Sequence, residues 1–505
     1  MQCFHRWGRF QRATLVAVVL VFGVVALTMT GLAKRLLTGG GEVAARPDGD
    51  MLVVHEWGTF TAIQDADGAG LTGVNTDDEP VPEFVHRLSD DLLVSTFNTG
   101  KPRMRPKDWS RLLSKGLPRF AMPMVTMRLE TPVIYFHPPD ELQQPLSLDV
   151  EVGFRGGWLS EFYPNADSTA PGLAQGLLTE KTIGKLSWTD LKIGTEADGP
   201  QTDEPVWLEP RDVDAANVTT ADGESERYLF YRGVGRFEAP LRVATDEDRN
   251  LLTLHGRFDD VPGMPADARI PNLWLVEVGE DGEVAYRTIG AIEARGGDKP
   301  LATVSTAFCG QDFQQENFDV LRRDMHAALV ADGLYADEAD AMLDTWRQAY
   351  FRNPGLRLFF LVPQAWTDDR LPLSISQPAQ IDRVMMARIE IISDRQRRLV
   401  REIAQADSFD PAWVDEIPVS ENRARFLAGD SDFGPLGVEI PAEYQAYLDL
   451  GRFRNAILLA EERRNPSKSL TNFINSYHLR PTPVLTAQTP VSTPTPTPTP
   501  TTASQ

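Results

Sequence analysis

The chain has 505 residues and a formal net charge of −22, with 42% hydrophobic and 24% charged residues. This length and composition are typical of a globular protein of more than one domain. So large a negative charge repels phosphate backbones, so we expect no nucleic-acid partner. Its two cysteines, Cys3 and Cys309, flank an apolar segment, and a membrane there would keep them from forming a disulfide.

The segment from Ala13 to Ala33 contains no charged residue. At about 1.5 Å per helical residue it spans about 30 Å, the thickness of a bilayer core. Basic residues flank it on both sides: Arg6, Arg9, Arg12, Lys34 and Arg35. We therefore predict a single-pass signal-anchor in the cell membrane, with the bulk of the chain periplasmic or extracellular. A cleaved signal peptide is the alternative.

The first strand is predicted at residues 53–63, because its sequence is rich in β-branched and aromatic residues. In a regular strand His55 and Trp57 lie on one face and Glu56 lies on the other. His55 and Glu56 therefore cannot hold one metal ion together, unless Gly58 allows a bulge between the faces. We interpret His55 as a structural residue of a core strand that bonds a buried carbonyl group.

Strand patterns dominate residues 120–310. Residues 146–155 alternate between apolar and polar, and Gly282 lies in a hairpin turn between residues 274–278 and 284–288. Residues 125–136 are mostly apolar or β-branched, and Pro132 predicts either an edge strand or a bulge there.

Helical periodicity begins later in the chain. Apolar residues recur at helical spacing through 318–329 and 339–350, which predicts a helical hairpin with Trp346 facing inward. A buried strand is predicted at 356–362 and another at 384–391. Helical patterns then continue to residue 479.

These patterns predict an α+β fold that is mainly β. We expect an antiparallel β-sandwich-like body with a helical hairpin insert and a helical C-terminal region, after one N-terminal transmembrane helix. The predicted divisions are a cytoplasmic N-terminus (1–12), a transmembrane signal-anchor (13–33), a stalk (34–50), a β-rich domain (51–310), a hairpin with strands that complete the body (311–405), a helical region (406–480) and a disordered Thr/Pro tail (481–505).

Sequence motifs for nucleotide, zinc-protease or serine-hydrolase chemistry are absent from the chain. The seven histidines show no ligand spacing, so no metal ligand and no cofactor are expected. Cys309 is interpreted as a buried thiol. An acidic, proline-containing loop that ends at His86 is a candidate second wall for a site near His55.

Glycoside chemistry requires two carboxylates on facing elements. Glu130 and Glu161 lie in or beside predicted strands, and Trp158 and Tyr163 have side chains of the kind that stack on a sugar ring. The complete set of candidate site residues is His55, Glu56, Trp57, His86, Glu130, Trp158, Glu161 and Tyr163.

Three stretches carry a resemblance to a known group: His55-Glu56-Trp57-Gly58-Thr59-Phe60, residues 128–136 and the hairpin that contains Trp346. Together they resemble uncharacterised bacterial exported or membrane-anchored proteins that share an HEWGTF motif. The similarity extends over most of residues 52–400. It implies a bacterial, extracytoplasmic setting and supplies no activity.

Three hypotheses about function follow. The first is a membrane-anchored extracytoplasmic protein that binds a ligand or partner, such as an envelope polymer or another protein, or has a structural role. The second is an envelope-polymer hydrolase with paired glutamates as acid and base and His55 or His86 assisting. The third is a metal-dependent enzyme. Whether these side chains converge on one pocket would discriminate among the three.

Overall fold

The computed structural model describes residues 51–74, 76–77, 81–88, 94–95, 124–139, 145–246, 248–279, 281–297, 299–406, 408–428, 434–477 and 479–480. The predicted anchor, stalk and Thr/Pro tail lie outside these ranges. Within them, no helix has both the length and the apolar character needed to cross a bilayer.

The described part of the chain mixes strands and helices, is mainly β and is built on one large sheet. Its strands are β1 (Leu52–Gln64), β2 (Thr76–Asp77), β3 (His86–Arg87), β4 (Val94–Ser95), β5 (Met127–His137), β6 (Leu146–Arg155), β7 (Gly157–Tyr163), β8 (Asp167–Thr169), β9 (Ile183–Ile193), β10 (Val218–Thr219), β11 (Ser225–Glu226), β12 (Leu229–Gly235), β13 (Leu241–Asp246), β14 (Leu251–Gly256), β15 (Arg269–Ile270), β16 (Leu273–Val278), β17 (Val284–Ile289), β18 (Ile292–Glu293), β19 (Ala302–Ser305), β20 (Gly355–Val362), β21 (Leu373–Ile375) and β22 (Ala379–Ile391).

The helices are short and mostly follow the strands in sequence. They are α1 (Pro205–Leu208), α2 (Asn317–Ala331), α3 (Ala336–Thr345), α4 (Arg347–Phe351), α5 (Gln364–Arg370), α6 (Asp394–Gln405), α7 (Trp413–Glu416), α8 (Glu421–Ala428), α9 (Ala442–Leu448), α10 (Arg454–Arg464) and α11 (Lys468–Ser476). The predicted helical hairpin and the β16–β17 hairpin are confirmed, and Trp346 is buried.

The large sheet runs in the order β11-β10-β9-β7-β12-β5-β1-β22-β20-β16-β17, with β3, β6, β8 and β21 paired to its members. Most neighbours are antiparallel, as expected. However, β1 pairs with β22 in parallel along its whole length, from Leu52 opposite Ala379 to Gln64 opposite Ile391. The expected purely antiparallel order is therefore wrong at the centre of the sheet. A parallel pair needs a long crossover, and most of the chain separates these two strands.

The two faces of the sheet pack against different layers. On one face, Phe60 of β1 and Phe360 of β20 join a cluster with residues of β6, β9 and the small sheet β13-β14-β19. On the other face, Trp57 and Phe359 pack against α2, α3 and α4 and against Trp346, which lies between α3 and α4. Both faces of β1 are therefore buried, since strand alternation sends neighbouring side chains into different cores.

A bulge interrupts the pairing of β1 with β5 between Trp57 and Thr59. Pro132 lies there, and Thr131 before it has φ of 46°, in the left-handed region. An added Cβ at Gly58 would lie 2.9 Å from the Cα of Pro132, so only glycine permits this approach. The predicted bulge is confirmed, but the alternative of an edge strand is wrong, because β5 lies between β1 and β12. Alternation along β1 continues through the bulge.

The helices α6, α7, α9, α10 and α11 share a third core with strand-end residues such as Ile63 and Trp158. Helix α6 begins at an N-cap, Ser393, whose side chain accepts a hydrogen bond from the backbone N–H of Gln396. This helical layer covers one end of the sheet.

Candidate metal centre

Three neighbouring strands bring polar side chains to one face of the sheet. His137 is the last residue of β5 and pairs with Val53, two positions before His55 in β1. On the other side of β1, Asp382 of β22 lies directly opposite His55. Paired and alternate positions share a face, so His137, His55 and Asp382 all point toward the helix-covered layer.

Glu338, in the first turn of α3, points at the two histidines from the helical layer. His55 Nδ1 lies 2.7 Å from Glu338 Oε2, and His137 Nε2 lies 2.9 Å from Glu338 Oε1. The backbone N–H of Tyr335 also donates to Oε2, at 2.7 Å, which fixes the carboxylate at the start of the helix. One ligand atom from each of the three side chains lies within 4.8 Å of the other two.

The centre is enclosed. His55 is 2% exposed, His137 is 8% exposed and Glu338 is fully buried. The ring of Tyr335 packs against both imidazoles, with centroids 4.5 Å from His55 and 4.9 Å from His137. Both rings are thereby held in place by packing as well as by hydrogen bonds.

Glu338 is an anion in this setting. Burial raises the pKa of its carboxyl group, but the hydrogen bonds from His137 and His55 outweigh burial and hold the pKa below its usual range. A buried carboxylate thus faces two imidazole nitrogens, each of which carries a proton when it donates to Glu338. Two imidazoles and one carboxylate from three separate elements form a donor set suited to zinc or ferrous iron.

Of the three members of this centre, only His55 is among the candidate site residues predicted from the sequence. His55 and Glu338 are 283 positions apart, and His137 and Glu338 are 201 apart, so no local motif connects them. The histidines show no ligand spacing in the sequence because the fold, and not their positions along the chain, sets the distances among these side chains. His137 and Glu338 have no feature in their local sequence that predicts a site residue.

Glu56 lies on the opposite face of β1 from His55, as strand alternation predicted. Its carboxylate accepts hydrogen bonds from Arg383 Nε and from the Tyr231 hydroxyl. Burial, and then the charge of Glu56, raise the pKa of Tyr231 well above its usual value, so this hydroxyl keeps its proton. Arg383 also donates to Asp368 at 2.9 Å. Glu56, Tyr231 and Arg383 are buried, and Asp368 extends this network of opposite charges to the surface.

Glu130 is likewise bound by arginines. It contacts Arg452, Arg388 and Arg128 and accepts a hydrogen bond from the Thr61 hydroxyl. Burial alone would raise the pKa of Glu130, but the three guanidinium groups hold it far below its usual range. A carboxylate so strongly held as an anion cannot serve as a general acid near neutral pH.

Glu161 and His86 belong to two separate pairs. Arg87 Nε donates to Glu161 at 2.7 Å, and Arg232 lies 3.6 Å from the same carboxylate. His86 Nε2 lies 2.8 Å from Glu224, and neither residue is fully buried. The expected hydrogen bond from His55 to a buried carbonyl is replaced by its contact with Glu338, and His86 is not part of that centre.

The aromatic candidates lie in the protein interior. Trp57 and Trp158 are fully buried and Tyr163 is 3% exposed. The indole N–H of Trp158 donates to the backbone carbonyl of Pro171 at 2.8 Å. Tyr163 packs against Trp207, with centroids 5.9 Å apart. None of these three rings offers a free face on which a sugar could stack.

The chain was also compared with known proteins. No family model matches the chain, and the search of curated proteins found no match. The candidate site is therefore defined by the geometry of its own residues.

Proposed function

We propose that this chain is an extracytoplasmic protein that binds one divalent transition-metal ion through His55, His137 and Glu338. A single observation carries the proposal: two imidazoles and a buried carboxylate converge within 4.8 Å from β1, β5 and α3. Three protein ligands with a further position for water or substrate is the arrangement of catalytic metal sites. An ion bound there would supply Lewis-acid chemistry or an activated water molecule.

The geometry favours metal binding over the hydrolysis of glycosides. Glu130 and Glu161 are each bound by arginines, and Trp158 and Tyr163 are buried. The paired-carboxylate mechanism needs one protonated acid and a groove for the sugar. Glu338, in contrast, contacts two imidazoles, which can exchange a proton for a metal ion, and accepts a further hydrogen bond from one backbone N–H.

The cellular setting in this proposal comes from the sequence. A signal-anchor at residues 13–33 would place the metal centre outside the cytoplasm, where the partner would be an envelope polymer or another protein. The resemblance to exported bacterial proteins with an HEWGTF motif supports the same location, and His55 is the first residue of that motif. The finer architecture that we propose is a sandwich-like body, in which the central strands of the large sheet pack against its own strands β6 and β9 and against the small sheet β13-β14-β19.

Metal analysis of the purified full chain tests the proposal. We expect about one equivalent of zinc or iron per chain and a competitive affinity for zinc that Glu338→Gln lowers by at least about 100-fold. The matched control is His86→Gln, which removes a histidine that also contacts a glutamate but lies outside the centre. Equal zinc binding by the wild type and Glu338→Gln, or no binding by either, would refute the proposal.

A further inference from the structure

The second nitrogen of His55 also has a carboxylate beside it. While Nδ1 faces Glu338, Nε2 lies 3.7 Å from Oδ2 of Asp382. The two nitrogens of an imidazole point away from each other, so an ion held among Nδ1 and the other two ligands leaves Nε2 facing Asp382. Only one of the two nitrogens of a neutral imidazole carries a proton.

Asp382 is held in this position by the fold. The parallel pairing of β1 with β22 places it directly opposite His55 on the same face. Two residues earlier, Gln380 donates a hydrogen bond from Nε2 to Asp382 Oδ2 at 2.7 Å. The side chain of Asp382 is 31% exposed, whereas that of His55 is buried. Asp382 therefore lies between the enclosed centre and solvent.

We propose that Asp382 is a positioning residue of the metal centre: its negative charge, 3.7 Å from His55 Nε2, stabilises the proton on that nitrogen and thereby keeps Nδ1 free to bind the ion. This inference rests on the proposed metal site. Outer carboxylates that fix the tautomer of a ligand histidine are common in metalloproteins. The two carboxylates on either side of the His55 ring therefore have different roles. Glu338 is a ligand, and Asp382 stabilises the proton on the nitrogen that does not bind the ion.

The position of the two carboxylates excludes the simplest alternative for Asp382. As a fourth ligand it would have to reach an ion on the Nδ1 side of His55, but its Oδ2 lies on the Nε2 side, 3.7 Å from that nitrogen. Loss of its negative charge should therefore weaken metal binding without removing an atom from the first coordination shell. Loss of such outer partners typically lowers metal affinity about 10- to 100-fold.

The test compares full-chain wild type, Asp382→Asn and Asp368→Asn. Asp368 is the matched control, because it is also a partly exposed aspartate, and it pairs with Arg383 beside Asp382 in β22. The first measurement is zinc affinity by competition with a chelator. The second is pulsed electron paramagnetic resonance of the copper(II)-loaded proteins, which reports hydrogen bonding at the remote nitrogen of each bound imidazole.

We expect Asp382→Asn to lower zinc affinity about 10- to 100-fold and to change the remote-nitrogen signal of one imidazole, with two imidazoles still bound. Asp368→Asn should match the wild type in both measurements. Unchanged affinity, an unchanged remote-nitrogen signal or the loss of a directly bound carboxylate in Asp382→Asn would each overturn the positioning role alone. Absence of metal binding by the wild type would overturn the proposed function and this inference with it.

Discussion

His55 and Glu56 are neighbours in one strand, yet their side chains belong to two clusters in which a buried carboxylate has different partners. On the Glu56 face, a guanidinium group and a phenol hydroxyl donate to the buried carboxylate. On the His55 face, the buried carboxylate is Glu338, and two imidazoles contact it. Among the described residues, no guanidinium group lies within ion-pair distance of Glu338.

This difference in partner decides what each cluster can do. Arginine keeps its charge in proteins, so the Glu56–Arg383 pair is permanently neutralised and serves the packing of the sheet. Imidazole titrates near neutral pH and can exchange its proton for a metal ion. We infer that the Glu56 face is structural and that the His55 face is the one that can bind a ligand.

Breaking the ion pair on the Glu56 face should have the largest effect on stability. We expect Glu56→Gln to lower the free energy of unfolding by about 3–5 kcal/mol, since it leaves the buried guanidinium of Arg383 with less compensating charge. Urea denaturation measures this change. Glu224→Gln, which removes the partly exposed partner of His86, is the control and should cost about 1 kcal/mol or less. Similar small losses in the free energy of unfolding of both variants would show that the buried pair stabilises the fold no more than the partly exposed one.

Stabilisation by a bound metal ion should depend on the His55 face of β1 and not on the Glu56 face. At a free zinc concentration of about 100 times the dissociation constant, a single site stabilises the folded state by about 2.7 kcal/mol. We expect this gain in the wild type and its loss in Glu338→Gln, measured as the zinc-induced shift in the urea midpoint. A midpoint that zinc raises equally in both proteins would assign the metal to another site.

Gly58 lies at the bulge on the same strand and provides a smaller perturbation. A Cβ there would lie 2.9 Å from Pro132 Cα and 3.1 Å from Met385 Sδ. We therefore expect Gly58→Ala to lower the free energy of unfolding by about 1–3 kcal/mol through overpacking. Gly73→Ala is a poor control because its φ is positive, whereas Gly290→Ala has open space around the Cβ and should be nearly neutral. An unchanged free energy of unfolding in Gly58→Ala would show that the backbone at the bulge shifts to accommodate the added methyl group.

Local patterns predicted much of the chain, and their limits are physical. Alternation correctly separated His55 from Glu56, and helical periodicity found the hairpin with Trp346, because both depend on neighbouring residues. The parallel pairing of β1 with β22 joins strands that are more than 300 positions apart in sequence, and Glu56 and Arg383 are 327 positions apart. Local patterns contain no information about contacts between such distant residues.

Two members of the candidate site, His137 and Glu338, were missed for the same reason. Each of its three ligands looks ordinary in its local sequence: a histidine in a core strand, a histidine at a strand end and a glutamate in the first turn of a helix. Their convergence is created by strand order and by the packing of α3 on the sheet. Conversely, Glu130 and Glu161 looked promising because a sequence cannot show that arginines distant in sequence will bind them.

The pH dependence of stability should follow the clusters that arginines neutralise, and Glu130 is the clearest case. Because its pKa is lowered in the folded protein, its contribution to stability is fully present above the ordinary glutamate pKa of about 4.3 and is lost as the pH falls toward the folded value. One such group contributes a slope of up to about 1.4 kcal/mol per pH unit. Glu130→Gln should therefore be less stable than the wild type at pH 7 and should lose stability less steeply between pH 4 and 2, as followed by urea unfolding at each pH. An unchanged slope of the unfolding free energy between pH 4 and 2 in Glu130→Gln would mean that the three arginines around Glu130 do not stabilise its charge. The contrast between arginine-bound and imidazole-bound carboxylates would then not extend to this third cluster.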